Sequence, residues 1–325
     1  MTGSRSLRVR GPRAALLAVA LSAALTGLAA SPATAFAAPV GAAEIDIKYD
    51  EFTLPNGLRV IVHTDRKAPI VAVNLWYHVG SKNEQPGRTG FAHLFEHLMF
   101  QGSENHDAEY FAPFELVGVT DQNGTTNQDR TNYFQNVPTT ALDMALWMES
   151  DRMGHLLGAI NQKSLDEQRG VVQNEKRQGE NQPYGRRINA KIFEALYPAG
   201  HPYNWQVIGS MADLDAATLD DVKTWFKSWY GPNNAVLVLS GDIDVKTAKE
   251  KVTRYFGDIP ASATLADMPA NIPKRDKDTR ETVPDRVPQT RVYRAWPVAE
   301  IGTRDAVLLE LFSQVLGGSA ASRFD

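Results

Sequence analysis

The chain has 325 residues, 43% hydrophobic and 22% charged, which is typical of a folded globular protein with room for about two domains. Its formal charge of −4 comes without a basic patch, which argues against binding to nucleic acid. Cysteine is absent, so disulfides, thiol nucleophiles and cysteine metal ligands are excluded.

Residues 1–37 have the layout of a secretory signal peptide. A start with four arginines and no acidic residue precedes an alanine-rich apolar run, and two A-x-A cleavage patterns end at Ala35 and Ala37. The apolar run is short and weakly hydrophobic for a membrane anchor, so we expect no stable membrane insertion. We therefore expect a secreted, periplasmic or cell-envelope protein, with a formal charge of −8 once the four arginines are removed.

The segment after the export signal predicts β-strands followed by a loop. The turn pair Asn56-Gly57 separates two short strands, and residues 70–79 form a further strand rich in valine and aromatic residues. A polar loop at residues 81–90 then leads into a helix, for which Thr89 is the predicted N-cap.

This helix carries the sequence His93-x-x-Glu96-His97. Residues three and four apart share one face of a helix, so two imidazoles and a carboxylate are presented together. Two neutral imidazoles and a carboxylate suit zinc, and a carboxylate beside a zinc-activated water can act as general base. The alternative is a buried amphipathic helix whose histidines are satisfied by hydrogen bonds.

Residues 107–117 predict a helix, and residues 123–128 and 132–137 predict two strands. The first strand is polar and contains a glycine, which favours a sheet edge. An exposed edge can accept an extended peptide by strand addition. An ordinary solvated hairpin is the alternative interpretation.

Two long helices follow, at residues 139–157 and 164–178, and Ser164 is the predicted N-cap of the second. Glu175 lies on the second helix, 78 residues after His97. A zinc site with two histidines needs a third protein ligand, and Glu175 can approach the metal from an opposing wall. Taken alone, a glutamate in a charged helix is usually a solvated surface residue.

The rest of the chain mixes helices and strands. In chain order we predict helices at residues 187–197, 219–230 and 245–256 with a buried strand at 235–240, then a proline-rich linker at 261–288, a strand at 290–296 and a helix at 304–316. A metal-binding domain is thus expected at residues 45–260. A second domain starting at residue 289 would be too short to bury a core, so we expect it to be truncated.

Together these motifs resemble the insulinase/pitrilysin family of zinc peptidases, whose His-x-x-Glu-His helix defines the inverted zincins. Besides that helix, the resemblance rests on Leu54-Pro55-Asn56-Gly57-Leu58, residues 123–133, Val171-Val172-Gln173-Asn174-Glu175, His201-Pro202-Tyr203, residues 230–235 and Leu316-Gly317-Gly318. The motifs follow the order and spacing of the family from about residue 48 to the end.

The resemblance implies an α+β fold in which helices pack on a mostly antiparallel sheet, with two similar domains per unit and the second truncated here. It implies that His93, His97 and Glu175 bind one Zn²⁺ per chain. It also implies that Glu96 activates the attacking water as general base.

Asn123, Gly124, Thr125 and Thr126 match the strand that binds a peptide or small protein substrate in the family. Gln168 stands where many members carry a glutamate that supports the metal ligands. We expect this difference to weaken one supporting contact without abolishing activity.

The expected function is therefore a secreted zinc metalloendopeptidase. One alternative is a non-catalytic subunit that partners an active homologue in a homo- or hetero-oligomer. Inactive members normally lose motif residues, whereas all four are present here. A folding-incompetent fragment of a longer enzyme is the third interpretation.

Overall fold

The computed structural model of the chain describes residues 3–8, 46–263, 272–318 and 322–323. The apolar run and both cleavage patterns of the predicted signal peptide lie outside these residues. None of the helices within the described ranges is long and apolar enough to span a lipid bilayer.

One mixed sheet forms the centre of the fold. In chain order its strands are β1 (Gly3–Arg8), β2 (Asp46–Thr53), β3 (Arg59–Thr64), β4 (Ile70–Tyr77), β5 (Thr120–Thr126), β6 (Thr131–Pro138) and β7 (Ala235–Gly241). They lie side by side in the order β1-β2-β3-β7-β4-β6-β5. Neighbouring strands are antiparallel except β3 and β7, which run parallel. The predicted α+β class with a mostly antiparallel sheet is confirmed.

The helices supply the other half of the core. They are α1 (Phe91–Leu98), α2 (Ala112–Glu115), α3 (Leu142–His155), α4 (Gln162–Asn181), α5 (Arg186–Leu196), α6 (Met211–Asp215), α7 (Leu219–Trp229), α8 (Val245–Phe256) and α9 (Arg304–Gly317). Alternate residues of the central strands, such as Val73 and Leu75 in β4 and Leu237 in β7, are fully buried. They share one hydrophobic core with the apolar faces of α1, α3, α7 and α8.

Two predicted elements are wrong. Of the helix expected at residues 107–117, only the four residues of α2 are helical. Tyr110 is buried against Phe100 and Phe114 against Tyr110, and these contacts need no continuous helix. The strand expected at residues 290–296 is irregular and exposed, and no described strand pairs with it. An isolated strand leaves its backbone groups without ladder partners.

The predicted cap of the second long helix is also wrong. The N-cap of α4 is Asn161, whose side chain accepts a hydrogen bond from the Ser164 N–H, while the Ser164 hydroxyl accepts one from the Asn161 N–H. Ser164 is therefore the third helical residue of a reciprocal capping box, and α4 starts two residues earlier than expected.

A buried ion pair lies in the core beside β6. The Arg152 guanidinium lies 2.6 Å and 2.9 Å from the two carboxylate oxygens of Glu149, and both residues are almost inaccessible to solvent. Its carbon lies 4.0 Å from the ring centroid of Tyr110 and 4.1 Å from that of Tyr133. Gln135 donates a further hydrogen bond to Glu149. Because each charge is paired, the core tolerates both.

We expect Arg152→Met to lower the free energy of unfolding by about 3–5 kcal/mol, because it leaves the buried Glu149 charge without its cation. Urea denaturation followed by tryptophan fluorescence measures the loss. The matched control is Lys251→Met, which breaks the surface pair of Lys251 with Asp143 and should cost less than about 1 kcal/mol. Equal losses for the two variants would contradict a special role for the buried pair.

Candidate metal centre

The site is built on α1, whose start is set by backbone geometry. Its N-cap is Gly90, with φ at 92°, and a Cβ there would lie 2.9 Å from the carbonyl oxygen of Ile208. The prediction that Thr89 caps the helix is wrong. Its N–H and hydroxyl both donate to Asp213, while the first N–H groups of α1 donate to Glu84. Thr89 precedes the left-handed residue and therefore lies outside the helix.

The structure brings His93, His97 and Glu175 together. His93 Nε2 lies 3.7 Å from one carboxylate oxygen of Glu175, and His97 Nε2 lies 3.6 Å from the other. One ligand atom from each of the three residues lies within 4.8 Å of the others. Protein ligands about 2.0–2.1 Å from a tetrahedral zinc ion lie about 3.4 Å apart, so both separations fit zinc. Two nitrogens and one carboxylate oxygen are also a donor set that zinc accepts.

Glu96 lies on α1, between His93 and His97. Its carboxylate is buried and accepts a hydrogen bond from the Thr126 hydroxyl on β5. Burial raises the pKa of Glu96, the Thr126 hydrogen bond and the positive charge of Arg130 oppose that rise, and the negative charge of Glu175 adds to it. A carboxylate with a raised pKa holds an abstracted proton more readily than an ordinary glutamate does.

The surroundings of His97 favour its neutral form. Burial lowers its pKa, against the opposite pull of Glu175 and of a hydrogen bond with Gln168. Neutral imidazole is the form that binds a metal. Gln168 is itself buried and lies on α4, seven residues before Glu175. The structure thus places Gln168 against His97.

The predicted substrate strand, β5, is the last strand of the sheet, next to β6. A Cβ on Gly124 would lie 2.8 Å from the Phe100 ring and 3.0 Å from the Tyr133 ring, so glycine lets β5 approach the end of α1. Asn123 is exposed, and Thr125 is half-buried and donates to Asn132. Of the four predicted substrate residues, Thr126 contacts Glu96 directly.

Two residues near the site escaped the sequence analysis. Arg130, at the end of the β5–β6 turn, donates to the Thr125 carbonyl and lies 5.1 Å from the Trp76 ring centroid. Burial raises the pKa of Glu84 to about 8, against three N–H donors. An acidic residue shortly before a helix whose N-cap has no side-chain acceptor is the signal that could have identified Glu84. Arg130 was not identified, because the contacts that bring it to the site, with the Trp76 ring and the Glu96 charge, come from distant parts of the sequence.

The family described as insulinase (peptidase family M16) matches residues 59–201, and the peptidase M16 inactive domain matches residues 216–325. The chain is similar to the zinc protease PqqE of Helicobacter pylori, at 31% identity over 85% of this chain and 62% of that protein. It spans 59–64% of the length of three curated relatives, all of them described as zinc proteases.

Two solved structures share the fold. A Helicobacter pylori protease has a TM-score of 0.63 and 31% identity, covering 70% of this chain and 52% of that chain. The first half of the periplasmic protease PqqL from Escherichia coli has a TM-score of 0.60 and 26% identity, covering 67% and 48%. The four motif residues lie within the part of the chain that matches the insulinase family, and none lies within the part that matches the inactive domain. They are His93, Glu96, His97 and Glu175.

Once a chelator has removed all bound metal, the metal-free chain is expected to bind one zinc ion. Glu175→Ala is expected to weaken that binding by a factor of about 100 or more. A competition titration with a chromophoric chelator measures both affinities. The control is Glu180→Ala on the same helix, which breaks the pair with Lys176 and should bind zinc like the wild type. Unchanged affinity in Glu175→Ala would exclude this carboxylate as a ligand.

Proposed function

The chain belongs to the insulinase family (peptidase family M16), and on that premise we propose that it is a zinc-dependent endopeptidase acting on peptides bound in an extended conformation. One observation carries the proposal. Two imidazoles from α1 and a carboxylate from α4 converge on one point, with the buried carboxylate of Glu96 beside them.

In this proposal His93, His97 and Glu175 hold the zinc ion. Bound there, zinc supplies a Lewis acid that polarises the scissile carbonyl and lowers the pKa of a water molecule. Glu96 takes the proton from the attacking water and passes it to the nitrogen of the leaving amine. Thr126 orients the Glu96 carboxylate through its hydroxyl, and the raised pKa of Glu96 suits a group that must first accept a proton and then release it.

The substrate is proposed to add to β5 as an extra strand. An edge strand has backbone N–H and C=O groups that no further strand of the sheet satisfies, so an extended peptide can pair with them. Asn123, Gly124, Thr125 and Thr126 would line the bound peptide.

We further propose that the chain is exported. The signal-peptide pattern at residues 1–37 supports this, as does the similarity to a protein described as the periplasmic protease PqqL. A non-catalytic partner subunit has no comparable support, because all four motif residues are present and lie together. A homologous chain as an oligomeric partner remains compatible with this proposal.

The proposal predicts that peptide hydrolysis stops when a chelator removes zinc and returns when zinc is added. Glu96→Gln should keep wild-type zinc affinity but lose about three or more orders of magnitude in kcat, because the amide cannot accept the proton of the water. A fluorogenic peptide assay and a zinc titration measure the two quantities. Hydrolysis that survives both zinc removal and Glu96→Gln would refute the proposed chemistry.

Thr126→Val should move the acidic limb of the pH–rate profile to higher pH. The hydroxyl donates to the Glu96 carboxylate and lowers its pKa, so removing the hydroxyl raises that pKa further. A general base works when deprotonated, so activity is lost as pH falls through the raised value. Thr120→Val, an exposed position on the same strand, is the control and should leave the limb in place. An acidic limb at the wild-type position in both variants would contradict a role for the hydrogen bond between Thr126 and Glu96.

A further inference from the structure

The loop before α1 contains a buried carboxyl group that the proposed chemistry does not use. Glu84 is 3% exposed, and both of its oxygens accept hydrogen bonds from N–H groups. Oε1 accepts from Ala92 N at 2.9 Å, and Oε2 accepts from Gly90 N at 3.0 Å and from Trp205 Nε1 at 3.1 Å. Two of these donors belong to the start of α1.

The first N–H groups of a helix have no partner within the helix, and a side-chain acceptor normally satisfies some of them. The N-cap of α1 is a glycine and has no acceptor to offer. Glu84, which lies outside the helix, accepts these hydrogen bonds instead. Because α1 has only eight residues, and Ala92 is next to His93, the Glu84 carboxyl holds the end of the helix that carries the first predicted zinc ligand.

Trp205 extends this contact to a distant part of the chain. Its indole N–H is shared between Glu84 and the Ser81 carbonyl, at 3.1 Å and 3.0 Å. The loop that carries Trp205 also contacts Thr89, the residue before the N-cap of α1, because the N–H of Ser210 donates to the Thr89 hydroxyl. The start of α1 is therefore clamped between its own preceding loop and the loop after α5.

The loop before α1 is also hydrogen-bonded to the β5–β6 hairpin, which carries Thr126. The N–H of Ser81 donates to the Asn127 carbonyl at 3.1 Å, and the N–H of Lys82 donates to the Gln128 carbonyl at 2.9 Å. The loop that carries Trp205 also contacts this hairpin, because the hydroxyl of Tyr203, two residues before Trp205, donates to the Asp129 carboxylate at 2.6 Å. One connected set of hydrogen bonds thus joins the helix that carries Glu96 to the hairpin that carries its hydroxyl donor.

We propose that Glu84 is a positioning residue for the peptidase chemistry. Its carboxyl group, held by Trp205, fixes the start of α1 and so sets where His93 and Glu96 stand relative to Glu175. This role rests on the proposed function. The role requires two acceptor oxygens. In Glu84→Gln one of them becomes an amide nitrogen, which donates hydrogen bonds and does not accept them. That nitrogen would face either the Ala92 N–H or the N–H groups of Gly90 and Trp205, and donor would meet donor.

The test uses the full-length chain with Co²⁺ in place of zinc, because the visible absorption of Co²⁺ reports the geometry of its ligands. Glu84→Gln should shift the cobalt bands and lower kcat by about tenfold to a hundredfold, since small displacements of a reacting group have effects of that size. KM should change little, because β5 is untouched. Trp205→Phe should change the bands and kcat in the same direction, and Glu250→Gln, an exposed position on α8, should change neither.

The other outcomes are also decisive. Wild-type cobalt bands and kcat in a folded Glu84→Gln would overturn the positioning role and leave the proposed function intact. If Glu84→Gln does not fold, Trp205→Phe decides, because a folded Trp205→Phe with wild-type bands and kcat overturns the role as well. A wild-type chain that neither binds cobalt nor cleaves peptides would overturn the proposed function, and the positioning role with it.

Discussion

The site depends on the meeting of two helices, α1 and α4, that are far apart in the sequence. Helical periodicity lets the eight residues of α1 serve two purposes at once. Leu94, Phe95 and Leu98 are almost fully buried and lock the helix into the core, while His93 and His97 remain partly accessible and face Glu175. The rigidity of the ligand set therefore comes from the core behind it.

One physical effect, burial, prepares both kinds of side chain for their proposed roles. Removal from water disfavours charge, so it lowers the pKa of His97 and raises the pKa of Glu96. The first shift favours the neutral imidazole that binds metal, and the second makes the carboxylate a better proton acceptor. Thr126 hydrogen-bonds Glu96 and Gln168 hydrogen-bonds His97. These bonds offset part of the cost of burying the two polar side chains and orient them.

Local signals in the sequence were sufficient for part of this architecture. The helix at residues 245–256 matches α8 at both ends, because Asp244 caps it and its apolar positions follow the helical period. The shared face of His93 and His97 also follows from spacing alone. The position of Glu175 does not: the residues make it a candidate third ligand, and only the resemblance to a family favours it over a solvated surface residue. Glu84 has a local signal, because it precedes a helix whose N-cap glycine has no side-chain acceptor, but no local pattern encodes its contact with Trp205, 121 residues away.

We infer that two imidazoles and one carboxylate from these helices bind a single zinc ion. X-ray absorption spectroscopy of the zinc-loaded chain tests it most directly, because scattering from imidazole rings counts the histidines bound to the metal. We expect two imidazoles, with all nitrogen and oxygen ligands at about 2.0–2.1 Å. A spectrum with one imidazole or none would contradict it.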